Sequence, residues 1–101
     1  MARRAVDNSD LDRWRRLDAA SLLHALCDYC KADPSFVPTL DAATSRWHVS
    51  AMGADYEFVC TGPKFFNTRS QRGGYGGIDL VMHIFRFDFR QSAAFLRAKG
   101  L

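Results

Sequence analysis

Four glycines in five positions, Gly73-Gly74-Tyr75-Gly76-Gly77, run directly into an apolar series with helical spacing, Ile78, Val81, Met82 and Phe85. Glycine lets a ligand come close to main-chain N–H groups. A helix N-terminus adds unpaired N–H donors and a partial positive charge that suit a phosphate. Arg69 and Arg72 stand beside the glycines, Lys64 precedes them, and Tyr75 carries a ring on which an unstacked base can lie. Arg and Lys neutralise backbone phosphates, and aromatic faces accept bases without sequence preference. The run lacks the Lys-Ser/Thr of a Walker loop and the spacing of a dinucleotide fingerprint. Its alternative reading is a connector that lets a helix pack closely against a sheet.

His24-x-x-Cys27-x-x-Cys30, with Cys60 further along, has the residue types of a zinc site. On one continuous helix, however, His24 and Cys30 stand about 9 Å apart along the axis, too far for one tetrahedral ion. The spacing also places Cys27 and Cys30 on an apolar stripe and Cys60 on an apolar strand face, where a free thiol acts as a small hydrophobe. Asp79 and His83 lie four apart on the expected helix and suit a metal or each other, or simply a cap and an ordinary histidine. His48 falls on the polar face of a strand. Trp14 stands among Arg13, Arg15 and Arg16, but Asp10, Asp12 and Asp18 intervene, which favours a solvated helix face with Trp14 as a core anchor. No nucleophile–base–acid set is readable, so a non-catalytic role is expected.

The chain around these residues has 101 positions, 48% hydrophobic, 25% charged and 13% aromatic, the composition of one globular domain. A core this small needs its large side chains inside. The net charge of +3 lies wholly in the second half, which carries seven Lys/Arg against four Asp/Glu. Between Thr61 and Ile78 there are three basic residues and no acidic one, a local field that suits a polyanion. Three cysteines, no apolar leader and no run long enough to span a membrane lead us to expect a cytoplasmic protein with reduced thiols.

Several elements must position these groups. Residues 1–8 read as an arm without fixed structure, and 10–31 as helical with a break near Leu17, with Ser9 and Asp18 as cap candidates and Asp33-Pro34 as the stop. A Pro-containing loop follows to Ser45. Residues 46–67 read as β-sheet: Trp47 and Val49 share one face, Met52 to Asp55 turn, and Tyr56, Phe58 and Cys60 return. Residues 68–77 read as a glycine-rich loop unfit for regular structure. Residues 78–99 read as two helices, the second opened by the capping box Asp88…Gln91 and closed at Gly100. The fold class expected is α+β, a small antiparallel sheet flanked by helices, in a single domain.

The run from Lys64 to Leu96 resembles the C-terminal half of the CHC-type zinc-ribbon domain of bacterial primases. It is more similar still to zinc-less relatives in primase-like, often Toprim-linked, proteins of plasmids, phages and other mobile elements. The residues that carry the likeness are Phe65 and Phe66, the glycines from Gly73 to Gly77, Ile78-Asp79-Leu80-Val81, and Phe89 to Leu96. The match covers about residues 46–98. The second metal-binding pair of the family falls at Asn67-Thr68-Arg69-Ser70, which has no thiol, so the resemblance implies a zinc-ribbon-like fold that has lost its metal.

The resemblance further implies single-stranded DNA as partner, with Lys64, Arg69 and Arg72 on phosphates and Phe66 or Tyr75 as stacking platforms. Gly73, Gly74 and Gly76 would give the strand close approach, and Arg46 and Trp47 would lie at its margin. No cofactor is expected, and a Toprim, primase or helicase module would supply the chemistry from elsewhere. Two other readings stay open. One is a protein-interaction module within a replication complex; the other is a zinc-binding domain using His24, Cys27, Cys30 and Cys60.

Overall fold

The computed structural model describes residues 6–101. Asp7 opens helix α1 (Asn8–Arg15) by accepting the Asp10 N–H at 2.9 Å, and its carboxylate also holds the Ser9 hydroxyl. The expected arm over residues 1–8 is therefore corrected at its described end. Val6 packs on the core, Asp7 is the cap in place of Ser9, and Asn8 is already helical; residues 1–5 lie outside the described part.

Asp18 caps α2 (Ala19–Leu26) through the Ser21 N–H, as its sequence position suggested. The helix expected over 10–31 does break near Leu17, but it ends at Leu26 and its last residues form a strand instead. Arg16 to Asp18 separate α1 from α2, and the chain turns extended at Cys27 (ψ 153) to enter β1 (Tyr29–Ala32). Cys30 thus lies on a strand, opposite Val49, and not on the helix.

Four more strands follow, β2 (Ser45–Ala51), β3 (Ala54–Thr61), β4 (Lys64–Asn67) and β5 (Arg72–Tyr75). Each pairs antiparallel with the one before it, so sheet order equals chain order. The β2–β3 turn is the two residues Met52-Gly53, both at positive φ, shorter than the four-residue turn expected. Residues 68–77, expected as a loop, contribute β5 instead. Helix α3 (Gly77–Phe85) and helix α4 (Phe89–Ala98) close the domain, the latter with the expected Asp88–Gln91 capping box complete and Gly100 just past its end at φ +76. The fold is α+β. Among the described residues, no helix is long and apolar enough to cross a membrane.

The core lies between one sheet face and the helices. Trp14, Leu23, Phe58, Val81 and Leu96 are completely buried and come from α1, α2, β3, α3 and α4. Trp14 is the core anchor its spacing suggested, and Arg13 and Arg97 pack over it, both engaged by Asp10. Asp10, 1% exposed, receives Arg13 at 2.8 Å and Arg97 at 2.9 Å, tying α1 to α4, and both guanidinium groups lie over the Trp14 ring.

The glycines of β5 are a packing requirement. A Cβ on Gly74 would stand 2.4 Å from the tip of the Phe65 ring, which lies across β5 on the core side. Gly76, at φ +90, turns the chain into α3 and brings its backbone against Arg15, whose Cα would meet an added Cβ at 3.1 Å. We predict that Gly74→Ala, which forces the Phe65 ring out of a filled core, lowers stability by about 1–3 kcal/mol. A urea unfolding curve checks this; an unchanged midpoint would contradict the placement of the ring.

Candidate nucleic-acid interface

The two faces of the sheet differ in kind. One carries the buried Val49, Phe58, Cys60, Phe65 and Asn67 toward the helices. On the other, reached by the alternate residues of every strand, no side chain is buried. At its β3–β5 end, Lys64 stands opposite Tyr75, Phe66 opposite Gly73, and Val59 opposite Phe66. Phe66 is 38% exposed and Tyr75 52%. They are diagonal neighbours, about 7 Å apart by sheet geometry. A shallow groove of about 460 Å³ runs past Val59, Lys64, Phe66 and Gly73. Lys64 makes no ion pair among the described residues. A half-exposed aromatic pair beside a free cation, on a face that none of the described helices covers, can hold unstacked bases and a phosphate together.

The other end of this face is closed by its own charges. Asp33 receives Arg46 at 2.8 Å and His48 at 3.1 Å, with Glu57 3.7 Å from the same imidazole, and Phe36 lies against the Arg46 guanidinium. The Ser35 hydroxyl and amide, with His48 and Arg46 after them, hold the Asp33 carboxyl well below the usual carboxylate range. Arg46 is on the open face but already paired. Trp47 is on the opposite, helix-facing side, where its indole N–H donates to the Ser45 hydroxyl and its ring meets His24 at 4.8 Å. It does not join the interface.

Arg69 and Arg72 stand apart from Lys64, Phe66 and Tyr75. Arg69 is in the β4–β5 turn, and Arg72 shares the helix-facing side with Asn67, its strand partner. Together with Arg86 and His83 at the end of α3 they line a cleft of about 560 Å³. Asn67, 4% exposed, fixes the shape of that cleft. Its side-chain oxygen accepts the Arg69 and Ser70 N–H groups, and its amide nitrogen lies 2.9 Å from His83 Nε2. Since the oxygen is taken, the nitrogen donates, and Nε2 of a neutral His83 accepts. Burial first, then Arg86 and Arg72, hold the His83 pKa below its ordinary 6.5. Arg86 was missed in the sequence because it lies more than a dozen positions from the turn, and His83 was read only against Asp79 on its own helix; the isolated His-x-x-Arg spacing carries no signal of its own.

The glycines play different parts from those expected. Gly73 lies on the open face beneath the Phe66 ring and Gly74 behind the Phe65 ring, while Gly76 is buried against α1 and leaves no room for a ligand. The Gly76 N–H already donates to the Pro63 carbonyl, and Asp79 accepts the Tyr75 N–H at 3.1 Å. A carboxylate in the first turn of α3 opposes an anion there, so the helix start serves packing. Asp79 and His83 do not pair; each faces a different partner.

His24 lies on α2, Cys27 caps that helix, and Cys30 and Cys60 lie on β1 and β3. Among the described residues, no three His, Cys, Asp or Glu side chains are gathered to hold a metal ion. Burial, with smaller contributions from nearby Cys and Asp, pushes the Cys27 and Cys60 thiols up to about 12, so both are protonated at neutral pH.

The chain is thus an α+β domain with an open-faced antiparallel meander and a basic cleft at one end. Comparison with protein-family models, with curated proteins and with solved structures gives no match.

The His83 environment has a measurable consequence. The unfolded imidazole takes its proton near pH 6.5, whereas the folded one resists it to lower pH. Between those values the unfolded chain binds more protons, so stability falls as the solution is acidified through that window. We predict a falling thermal midpoint between about pH 7 and pH 5, with a shallower slope in His83→Gln. A native His83 titration at or above 6.5 by NMR would contradict this arrangement.

Proposed function

We propose that this chain is a non-catalytic domain that binds single-stranded DNA on the open face of β3–β5, in the context of a primase-like replication protein of a mobile element. The observation that carries the reading is the row of Phe66, Tyr75 and Lys64 on an uncovered sheet face, with Gly73 leaving the surface low between them. Stacking on such rings tolerates any base, and a lysine beside them reads charge without sequence. The replication setting, and the kinship with a zinc ribbon that has lost its metal, rest on the resemblance of Lys64 to Leu96. Phosphate contacts by Arg69 and Arg72 belong to the end of the sheet in this reading, and Arg46 and Trp47 make none. A polymerase or Toprim activity would reside in another module.

A protein-docking reading has one observation of its own. Leu11, Met82 and Phe89 are exposed around a groove of about 550 Å³ between α1, α3 and α4, and Tyr75 at the end of β5 borders both this groove and the sheet face. Salt separates the two readings, because phosphate contacts weaken steeply with ionic strength.

Fluorescence anisotropy with a labelled oligothymidylate tests the proposal. Phe66→Ala and Tyr75→Ala should each weaken binding by about tenfold, the loss of one stacked base. Lys64→Gln should reduce the slope of log K against log salt by about one. A folded protein that binds no strand at low salt, or binds it equally well without both rings, would overturn the reading.

A further inference from the structure

We propose that the cleft between the β4–β5 turn and the end of α3 is a phosphomonoester site, built to take the terminal phosphate of a strand lying on the open sheet face. The second half of this inference rests on the function proposed above; the first half does not.

Three guanidinium groups converge on the cleft from three separate elements, Arg69 from the turn, Arg72 from β5 and Arg86 from the end of α3. One carboxylate residue lines it, Asp55, and its Oδ1 accepts the Ser50 hydroxyl at 2.6 Å on the open face. What Asp55 offers the cleft is its backbone carbonyl, to which Arg69 donates at 3.4 Å. Arg72 and Arg86 have no ion pair or side-chain hydrogen bond among the described residues. Arg13, Arg46 and Arg97, by contrast, each meet a carboxylate at 2.8 or 2.9 Å. Like charges held together without a counter-ion are unfavourable. Here the Asn67 clamp on His83 and on the turn N–H groups keeps them in place.

Arg86 shows the same tension in its backbone. It occupies φ +61 at the C-cap of α3, a conformation that glycine holds without the roughly 1–2 kcal/mol that a side chain adds. Met52 and Gln71 share this region in turns, and Arg86 adds to it a guanidinium that lines the cleft.

The number of donors points to the class of anion. A phosphomonoester carries about −1.5 to −2 charge and three terminal oxygens, matching three arginines. An internal diester offers one charge and two free oxygens. The position of the cleft points to a strand end. β5 is the last strand of the sheet, so among the described residues no further strand separates Gly73, under the Phe66 ring on the open face, from Arg72, its neighbour facing the cleft; Asp79 stands at this edge, its carboxylate held by the Tyr75 N–H.

The test uses the full chain and four probes: an oligothymidylate with a 5′-phosphate, one with a 3′-phosphate, one with hydroxyl ends, and inorganic phosphate. A phosphorylated end should tighten binding by about tenfold over hydroxyl ends, with the better of the two ends giving the polarity of the strand. Arg86→Gly, which suits the backbone, and Arg72→Gln should each abolish that preference, while Arg90→Gln on the exposed side of α4 leaves it intact. Equal binding of phosphorylated and hydroxyl-ended strands, or a preference that survives Arg86→Gly, overturns the cleft and leaves the sheet-face reading standing. If no strand binds but inorganic phosphate shifts the amide resonances of residues 69–72 in an Arg86-dependent manner, the cleft stands as a free-phosphate site and the sheet-face reading falls. If neither strand nor phosphate binds, both fall.

Discussion

The arrangement of this protein depends on one ring over one glycine. Phe65 on β4 lies across Gly74 on β5, close enough that no side chain of any size fits beneath it. Five residues with four glycines have little intrinsic tendency to form a strand, since glycine loses the most backbone freedom and brings no side chain to pack. The rings of the neighbouring strand supply the missing surface, Phe65 on the core side and Phe66 on the open side. Burying one phenylalanine contributes about 1.5–3 kcal/mol, enough to offset two poor strand residues. Once β5 is held in register, the rest is determined. Lys64 faces Tyr75, Arg72 faces the cleft, and Gly76 delivers the chain to α3 beneath Arg15.

What the sequence made legible follows the same logic. The alternation over Ser45 to Thr61, the caps at Asp18 and Asp88, and the burial of Trp14 are local patterns with one strong interpretation each. β1 and β5 were hidden because each is a strand only by virtue of its neighbour. Cys27 and Cys30 have the spacing of a helix face, and only pairing of Cys30 with Val49 draws that segment into the sheet. The glycine segment has no β signal, and the signal lies instead in the two adjacent phenylalanines of β4. Of the expected contact residues, Lys64, Phe66, Gly73 and Tyr75 come together as one surface, and Arg69 and Arg72 form another with Arg86 and His83. Arg46 and Trp47 are engaged by partners thirteen and twenty-three positions away, Asp33 and His24, which no local pattern joins to them.

Charge is distributed so that these two surfaces stand out. In the N-terminal half Arg13 answers Asp10, and Asp33 gathers Arg46 and His48 at one end of the open face. Lys64, Arg72 and Arg86 meet no carboxylate among the described residues and stand around β4, β5 and the end of α3, while Arg15, Arg16 and Lys31 are likewise without one elsewhere on the surface. The net charge of +3, modest for the whole chain, comes from its second half, which also carries the exposed rings of Phe66 and Tyr75. In our reading, the rings hold bases and the arginines hold an end, a division that the opposite faces of one edge strand make physically possible.

The most direct test of this account is an NMR titration of the full chain with a short oligothymidylate, following backbone amides at low salt. The account predicts that the largest shifts fall on Val59, Lys64, Phe66, Gly73 and Tyr75, extending to Arg72 and reversing on addition of salt. Shifts confined to Leu11, Met82 and Phe89 in the groove between α1, α3 and α4, or no shifts at all, would contradict it.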